Sequence, residues 1–475
     1  MKYMPTIGLE IHAELKTKTK MFCHSKNDSE EKKPNVNVCP ICMGHPGTLP
    51  VINKEAVKHV LKVGVAVGGE LANFTEFDRK NYFYPDIPKG YQISQYKFPL
   101  VKGGTLHNIQ LTRIHLEEDT GRSIHKGSES LVDFNRAGVP LMELVTEPVI
   151  ANAQMAVAFA KELQLLLQYL NVSDANMEKG EMRVEANVSV SPKSKIKSQK
   201  LGTKVEVKNL NSFKSVERAI EYEIKRQTSL LEKGEKVAQE TRGWDENKEI
   251  TFSQRQKEES HDYRYFPDPD LPKLFISEIP EFKYDVLAKE LSELPWKKRE
   301  RLIHTFKIRP QDAETYIRIP VYGKFFDSVI QNIAGDKSLI LLSSNYISSD
   351  IIGLSQEKES VGKIEPQHFA SLMKMIKEKK VSSRGAKDIL KEMFGKGGNP
   401  EKIAKEKNLL QTSDTETLSK IIEKVIEANP SVVSDYRAGK ETALQYLVGQ
   451  GMKESKGSAN PEILKELLKK KISTS

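Results

Sequence analysis

The residues best suited to chemistry lie at the start of the chain. In Gly8–Leu15, Glu10, His12 and Glu14 alternate with Leu9, Ile11, Ala13 and Leu15. Alternation over eight residues marks a half-buried β-strand. Successive strand side chains point to opposite faces, so the two carboxylates and the imidazole share one side. Such a set could hold a divalent cation or move protons, and it reads equally as the polar outer face of an ordinary strand. The pattern recurs. Arg113, His115 and Glu117 oppose Thr112, Ile114 and Leu116, and Arg183, Glu185, Asn187 and Ser189 oppose Met182, Val184, Ala186, Val188 and Val190. Thr203–Val207 turns Lys204, Glu206 and Lys208 to one side. Several strands with one apolar and one polar face predict a mostly antiparallel sheet, and charged faces at this density predict a lined cleft.

A second acidic group, Glu117-Glu118-Asp119, sits at a strand end, and Leu131–Pro148 adds Asp133, Asn135, Arg136, Glu143 and Glu147. Carboxylates from separate strands, joined by His12, could build an oxygen-rich Mg²⁺ site, since that ion takes a few carboxylates plus phosphate oxygens. Lys80, Arg136, Arg183 and Lys204 could neutralise a polyphosphate. Each residue alone reads as a surface residue; the clustering carries the expectation. No G-x-x-x-x-G-K-[ST] loop occurs, and Gly449-Gln-Gly451 lacks a third glycine, so any ATP is bound without a P-loop.

The only cysteines are Cys23, Cys39 and Cys42, the last two as Cys-Pro-Ile-Cys. Their spacing suits a structural Zn²⁺, which normally takes four ligands; His24 and His45 are the candidates for the fourth. Reduced structural thiols are the competing reading. His12-Ala-Glu14 followed by Cys39-Pro-Ile-Cys42 also mimics the zinc deaminase signature, although Val38 stands where proline belongs and the His–Glu pair falls on a strand.

The elements that must position these groups divide the chain. Residues 1–290 read as strand-rich, with helices over about Lys54–Gly68, Asn152–Leu170 and Ser212–Leu231. Helical periodicity takes over around Glu281–Pro295, as in Phe325, Phe326, Val329, Ile330 and Ile333. Gly395–Pro400 marks a further break. The expectation is an α+β protein with a strand-rich domain over 1–290, a helical domain over 291–399 and a small helical domain over 400–475. At 38% hydrophobic and 29% charged, the 475 residues suit a globular protein. No run approaches a membrane span, no secretory leader is visible, and few cysteines fit a reducing cytoplasm. The net charge of +9 favours a polyanionic partner. Eight basic residues face three acidic ones between Lys374 and Lys396, either a solvated helix face or a phosphate-binding run.

Gly8–Leu15, Phe77–Asp86, Gly90–Gln95, His115–Asp119, Val132–Arg136, Pro140–Glu143, Val205–Phe213, Asp262–Pro267, Leu447–Gln450 and Lys456–Pro461 together resemble the B subunit of aspartyl/glutamyl-tRNA amidotransferase, from end to end of the chain. The resemblance implies a cradle-shaped β-rich domain, then a helical domain and a helical tail that contacts tRNA. It implies that ATP phosphorylates the side-chain carboxylate of a misacylated Glu-tRNA(Gln) or Asp-tRNA(Asn), after which ammonia displaces phosphate. It places His12, Glu118 and Glu143 at Mg²⁺-binding positions, Glu185 at a further acidic position where relatives often carry aspartate, and Glu10, Lys80 and Tyr82 along the cleft. It also implies a glutaminase A subunit and a small C subunit as partners. Many relatives carry four cysteines in a zinc knob; here one of those positions is Ser25. A tRNA-modifying zinc deaminase and a non-catalytic tRNA-binding scaffold are the alternatives.

Overall fold

The computed structural model describes residues 2–28, 30–193, 201–256, 263–333, 335–355, 359–411, 415–455 and 459–474. Lys456–Ser458, within one of the resembling stretches, lies outside them. The chain forms two compact units, Met1–Pro295 and Trp296–Ser475.

The first unit is built on strands whose alternation is visible in the sequence. β1 (Tyr3–Glu14) buries Ile7, Leu9, Ile11 and Ala13 and leaves Glu10, His12 and Glu14 part-exposed. It precedes α1 (Lys54–Ala66), which is capped by the Asn53 side chain accepting from Glu55 and Ala56 N–H. Two short strands, β2 (Asp78–Asn81) and β3 (Tyr91–Ser94), pair with each other, and β2 also pairs with Phe266–Pro267. Then come β4 (Ile109–Glu118), β5 (Pro140–Thr146), α2 (Ala153–Tyr169), β6 (Met182–Pro192), β7 (Val205–Leu210), α3 (Phe213–Glu232), β8 (Glu240–Asp245) and β9 (Ile250–Gln256).

A ten-stranded sheet runs β9-β8-β7-β6-β1-β5-β4 and then onto short edge strands. Only the β7–β8 pairing among these seven strands is parallel. β1 is central, hydrogen-bonded to β5 on one side and β6 on the other. The apolar face lies under the helices: α3 packs against β6 and α2, burying Val216, Ala219 and Ile220 completely. Val216 and Ile220 each contribute on the order of 1.5–3 kcal/mol by that burial. The opposite face of the same strands is therefore left for polar work. α2 and α3 begin at Asn152 and Ser212, each side chain accepting from the N–H three residues on. β8 and β9 have no alternation clear enough to announce them.

The second unit is helical. α4 (Pro310–Arg318) and α5 (Pro320–Asn332) both start with proline, where the missing N–H costs nothing. They approach so closely that a Cβ on Gly323 would lie 2.1 Å from the Tyr316 carbonyl oxygen. Phe325, Phe326, Val329 and Ile333 are buried as their spacing predicts. α6 (Pro366–Lys377) and α7 (Ser383–Lys396) follow. Gly397 and Gly398, at φ +76° and +109°, turn the chain tightly into a helix over Pro400–Glu406. Farther on, Leu418, Ile422, Leu444, Leu447, Leu464 and Leu468 close a core of their own.

Candidate active site

Because β6, β1, β5 and β4 are neighbours, strand register alone arranges the charged residues into rows. Arg183, His12, Glu143 and His115 lie directly opposite one another across the four strands. The row beside it holds Glu185, Glu10 and Arg113, with Val145 between the last two. On the other side, Glu14 and Glu117 flank Leu141. Thr112 is skipped in the β4–β5 pairing, a bulge that lets Ile109 and Leu111 face the core with Ile114 and Leu116. Arg113, His115 and Glu117 consequently face the cleft.

The cleft is a cavity of about 920 Å³. At its floor, His12 Nε2 lies 3.3 Å from Glu143 Oε2 and 3.6 Å from Glu117 Oε1. His115 Nε2 is 3.3 Å from the same Glu143 oxygen. Burial alone would lower the His12 pKa, but Glu143, Glu117 and Glu185 push it up to about 9. Burial likewise opposes ionisation of Glu143, and the two histidines hold its carboxyl well below the usual range. One ligand atom from each of His12, Glu117 and Glu143 falls within a 4.8 Å cluster, and so does one from each of Glu10, Glu185 and Glu206. Two carboxylates and an imidazole fit a divalent cation that takes its other positions from phosphate oxygens and water.

Cations stand around these acids. Lys208 Nζ is 3.1 Å from Glu185 and 3.7 Å from Glu206, and Arg113 Nη2 is 3.7 Å from Glu143. Asn187 donates to Glu10 at 2.8 Å. Lys80, Tyr82, Arg183 and Lys204 all line the cavity. Burial would discharge Lys80, but Glu117 and the neighbouring tyrosines hold its pKa above the ordinary lysine value. Arg183 is paired with Asp119.

Two expected site residues are placed elsewhere. Glu118 does not join His12 and Glu143. Being next to Glu117 on a strand, it projects from the opposite face. There it pairs with Lys89 and accepts from the Ile93 N–H at 2.9 Å. Glu117 takes the position in the cluster, as the Arg113–His115–Glu117 alternation already indicated. Arg136 is not part of the cavity wall; it donates to the Thr120 and Gly121 carbonyls and sits 3.6 Å from Asp119. His115, Glu206 and Lys208, which the two-residue period sets on polar strand faces without giving them a site role, also line the cleft. Tyr263 and Tyr265 had no such signal.

Cys23, Cys39 and Cys42 do converge, one sulfur from each within 4.8 Å. Neither histidine completes the set, since His24 and His45 are both exposed. Ser25 Oγ lies 3.9 Å from Cys42 Sγ, and the fully buried Lys20 ammonium lies 4.0 Å from it. A hydrogen bond from Cys23, aided by Lys20, lowers the Cys42 pKa to about 5. Three thiols satisfy the soft-donor preference of Zn²⁺, and a fourth ligand would have to be Ser25 or water. His12 groups with carboxylates and the cysteines group with one another, which removes the His-Cys-Cys arrangement that a deaminase requires.

A sheet whose polar face carries acids, imidazoles and cations in register is a catalytic architecture, and comparison agrees. The family described as the GatB/GatE catalytic domain matches residues 5–280, and the GatB domain matches residues 324–472. The B subunit of aspartyl/glutamyl-tRNA(Asn/Gln) amidotransferase from Caldanaerobacter subterraneus subsp. tengcongensis is 46% identical over 489 residues, covering all of both chains. That of Thermotoga maritima is 42% identical, covering 99% of each, and that of Persephonella marina 43%, covering 99% of this chain and all of its own. The chain belongs to the family of aspartyl/glutamyl-tRNA(Asn/Gln) amidotransferase B subunits.

Proposed function

We propose that the chain uses ATP to activate the side-chain carboxylate of Glu-tRNA(Gln), Asp-tRNA(Asn) or both, and then amidates it with ammonia from a partner glutaminase subunit. The observation that carries this is the row structure of the cleft, where His12, Glu117 and Glu143 meet beside Glu10, Glu185 and Glu206 under a ring of lysines and arginines. A carboxylate and a γ-phosphate repel, so their approach requires positive charge around both. A Mg²⁺ held by His12, Glu117 and Glu143 would supply part of that charge. Lys80, Arg113, Lys204 and Lys208 supply the rest from the chain itself.

In the first step a substrate carboxylate oxygen attacks the γ-phosphorus, a P–O bond to the β-phosphate breaks, and ADP leaves. Ammonia then attacks the acyl carbon, phosphate leaves, and a proton passes to a nearby base. No protein nucleophile is required, because the substrate provides its own. The glutaminase A subunit and a small C subunit complete a heterotrimer working in the cytoplasm, and the helical tail contacts tRNA.

The test contrasts two adjacent residues in the assembled complex. Glu117→Gln is expected to cut ATP-dependent phosphorylation of Glu-tRNA at least about a hundredfold, in line with the loss of one transition-state contact, while glutaminase activity stays measurable. His12→Ala should behave the same way. Glu118→Gln, which touches the opposite face, is expected to retain the phosphorylation. Undiminished transamidation in Glu117→Gln and His12→Ala would refute the assignment and favour a non-catalytic tRNA scaffold.

A further inference from the structure

One wall of the cleft is aromatic, and the chemistry proposed above does not use it. Tyr96 and Tyr265 stack with ring centroids 4.3 Å apart and planes 11° from parallel. Tyr265 meets Tyr263 edge-on at 6.1 Å, and Tyr263 meets Tyr82 at 5.7 Å. The rings therefore form a continuous series, assembled from segments about 170 residues apart in sequence. Phe83, which also borders the cavity, is 92% exposed; Tyr96 is 63% exposed and Tyr263 47%. All five rings border the cavity that holds the acid cluster.

Several exposed rings grouped along one cleft wall are more than a single exposed hydrophobic, and such a patch marks a binding surface. The charge around the wall says what kind of partner fits. Lys80 Nζ lies 4.8 Å above the Tyr263 ring, and Arg264, between Tyr263 and Tyr265 in the sequence, lines the same cavity. Aromatic rings in series with interleaved cations are the means by which proteins hold unpaired nucleotides, base on ring and phosphate on cation. A single adenine would cover one ring; a series this long, open along its outer edge, suits several consecutive bases.

We propose that the Tyr96–Tyr265–Tyr263 wall, with Phe83 at its rim, stacks the unpaired nucleotides at the 3′ end of the tRNA acceptor arm and so delivers the esterified amino acid to the acid cluster. This rests on the amidotransferase reading above. Tyr96 and Phe83 are positioning residues, because they hold the carrier of the substrate and not the reacting atoms.

The test uses the complex with its partner subunits and varies charged tRNA and ATP separately. Tyr96→Leu and Phe83→Leu keep apolar bulk but lose the π face, and their exposure keeps both changes out of the core. Each is expected to raise KM for charged tRNA about tenfold, as the loss of one stacked base implies, with kcat and the KM for ATP within about twofold. Tyr96→Phe keeps the ring and should restore the wild-type KM. With 2-aminopurine as the terminal base of the tRNA, fluorescence should be quenched on binding wild type and largely recovered in Tyr96→Leu. Unchanged tRNA KM in both leucine variants overturns the proposal, and so does a rise in the KM for ATP instead, which would assign the wall to the adenine of ATP. A wild-type complex lacking ATP-dependent transamidation would refute the activation reading alone; the quenching would then decide the wall by itself.

Discussion

His12 sits between two carboxylates at the cleft floor, and its proton is part of what holds them together. Its pKa rises from 6.5 to about 9 on folding. A raised pKa stabilises through the protonated form, so this contribution is complete below about pH 6.5 and disappears as pH climbs through about 9. The melting temperature of chelator-treated protein is expected to fall across that interval, and His12→Gln should flatten the fall. A cation that binds His12 must displace the proton, so Mg²⁺ uptake at pH 7 is expected to release protons. Calorimetry in buffers of different ionisation enthalpy measures that release. At this scale much was legible. Glu10, His12, Glu143, Arg183 and Glu185 were all recognisable from residue type and alternation, and all line the cleft. The family motif points to the neighbourhood of Glu118, whereas strand parity decides that Glu117, of the two adjacent glutamates, faces inward.

Among elements, legibility followed the strength of the period. β1 and β6 bury every apolar residue that their alternation assigns to the core, and α2 and α3 occupy the helical ranges expected from about Asn152 and Ser212. β8 and β9 escaped because Trp244, Phe252 and several polar residues give no clean alternation. The tyrosine wall escaped for a different reason: no local pattern links Tyr96 to Tyr263, and their meeting is purely tertiary. The close approach of α4 and α5 is testable. α4 and α5 can approach as they do only because position 323 lacks a Cβ, and the atom it would strike is backbone, which cannot rotate away. Gly323→Ala is expected to destabilise the second unit by about 1–3 kcal/mol, read as a lower melting temperature, while the cleft chemistry of the first unit is retained.

Over the whole molecule, the excess charge of +9 invites a nucleic-acid interpretation, and the structure tempers where that charge acts. Of the eight basic residues from Lys374 to Lys396, five hold carboxylates: Lys377 pairs with Asp336, Lys379 with Glu462, Lys380 with Glu378, Lys387 with Asp350 and Lys396 with Glu392. A lysine that contacts a phosphate lowers the slope of log K against log salt by about one when removed. Lys387→Gln is expected to change that slope by well under one in a tRNA-binding titration, because its charge is already committed to Asp350. The sequence reads as three domains, 1–290, 291–399 and 400–475, and the structure groups the chain into two compact units. The pairing of the basic run is not legible locally, because its partners Asp336, Asp350 and Glu462 lie outside the run.

The Glu117-Glu118 doublet has a consequence for how β4 could go wrong. If β4 slipped by one residue along β5, Glu118 would turn into the cleft as Glu117 left it, and an acid would still be present. The same slip would carry Ile114 and Leu116 into the places of Arg113 and His115. The doublet thus makes the acidic position tolerant of misregistration, while the imidazole beside it has no understudy. A misregistered chain would keep its negative charge and lose its second histidine, so His115, not the glutamate, is the residue that proves the strand correctly set.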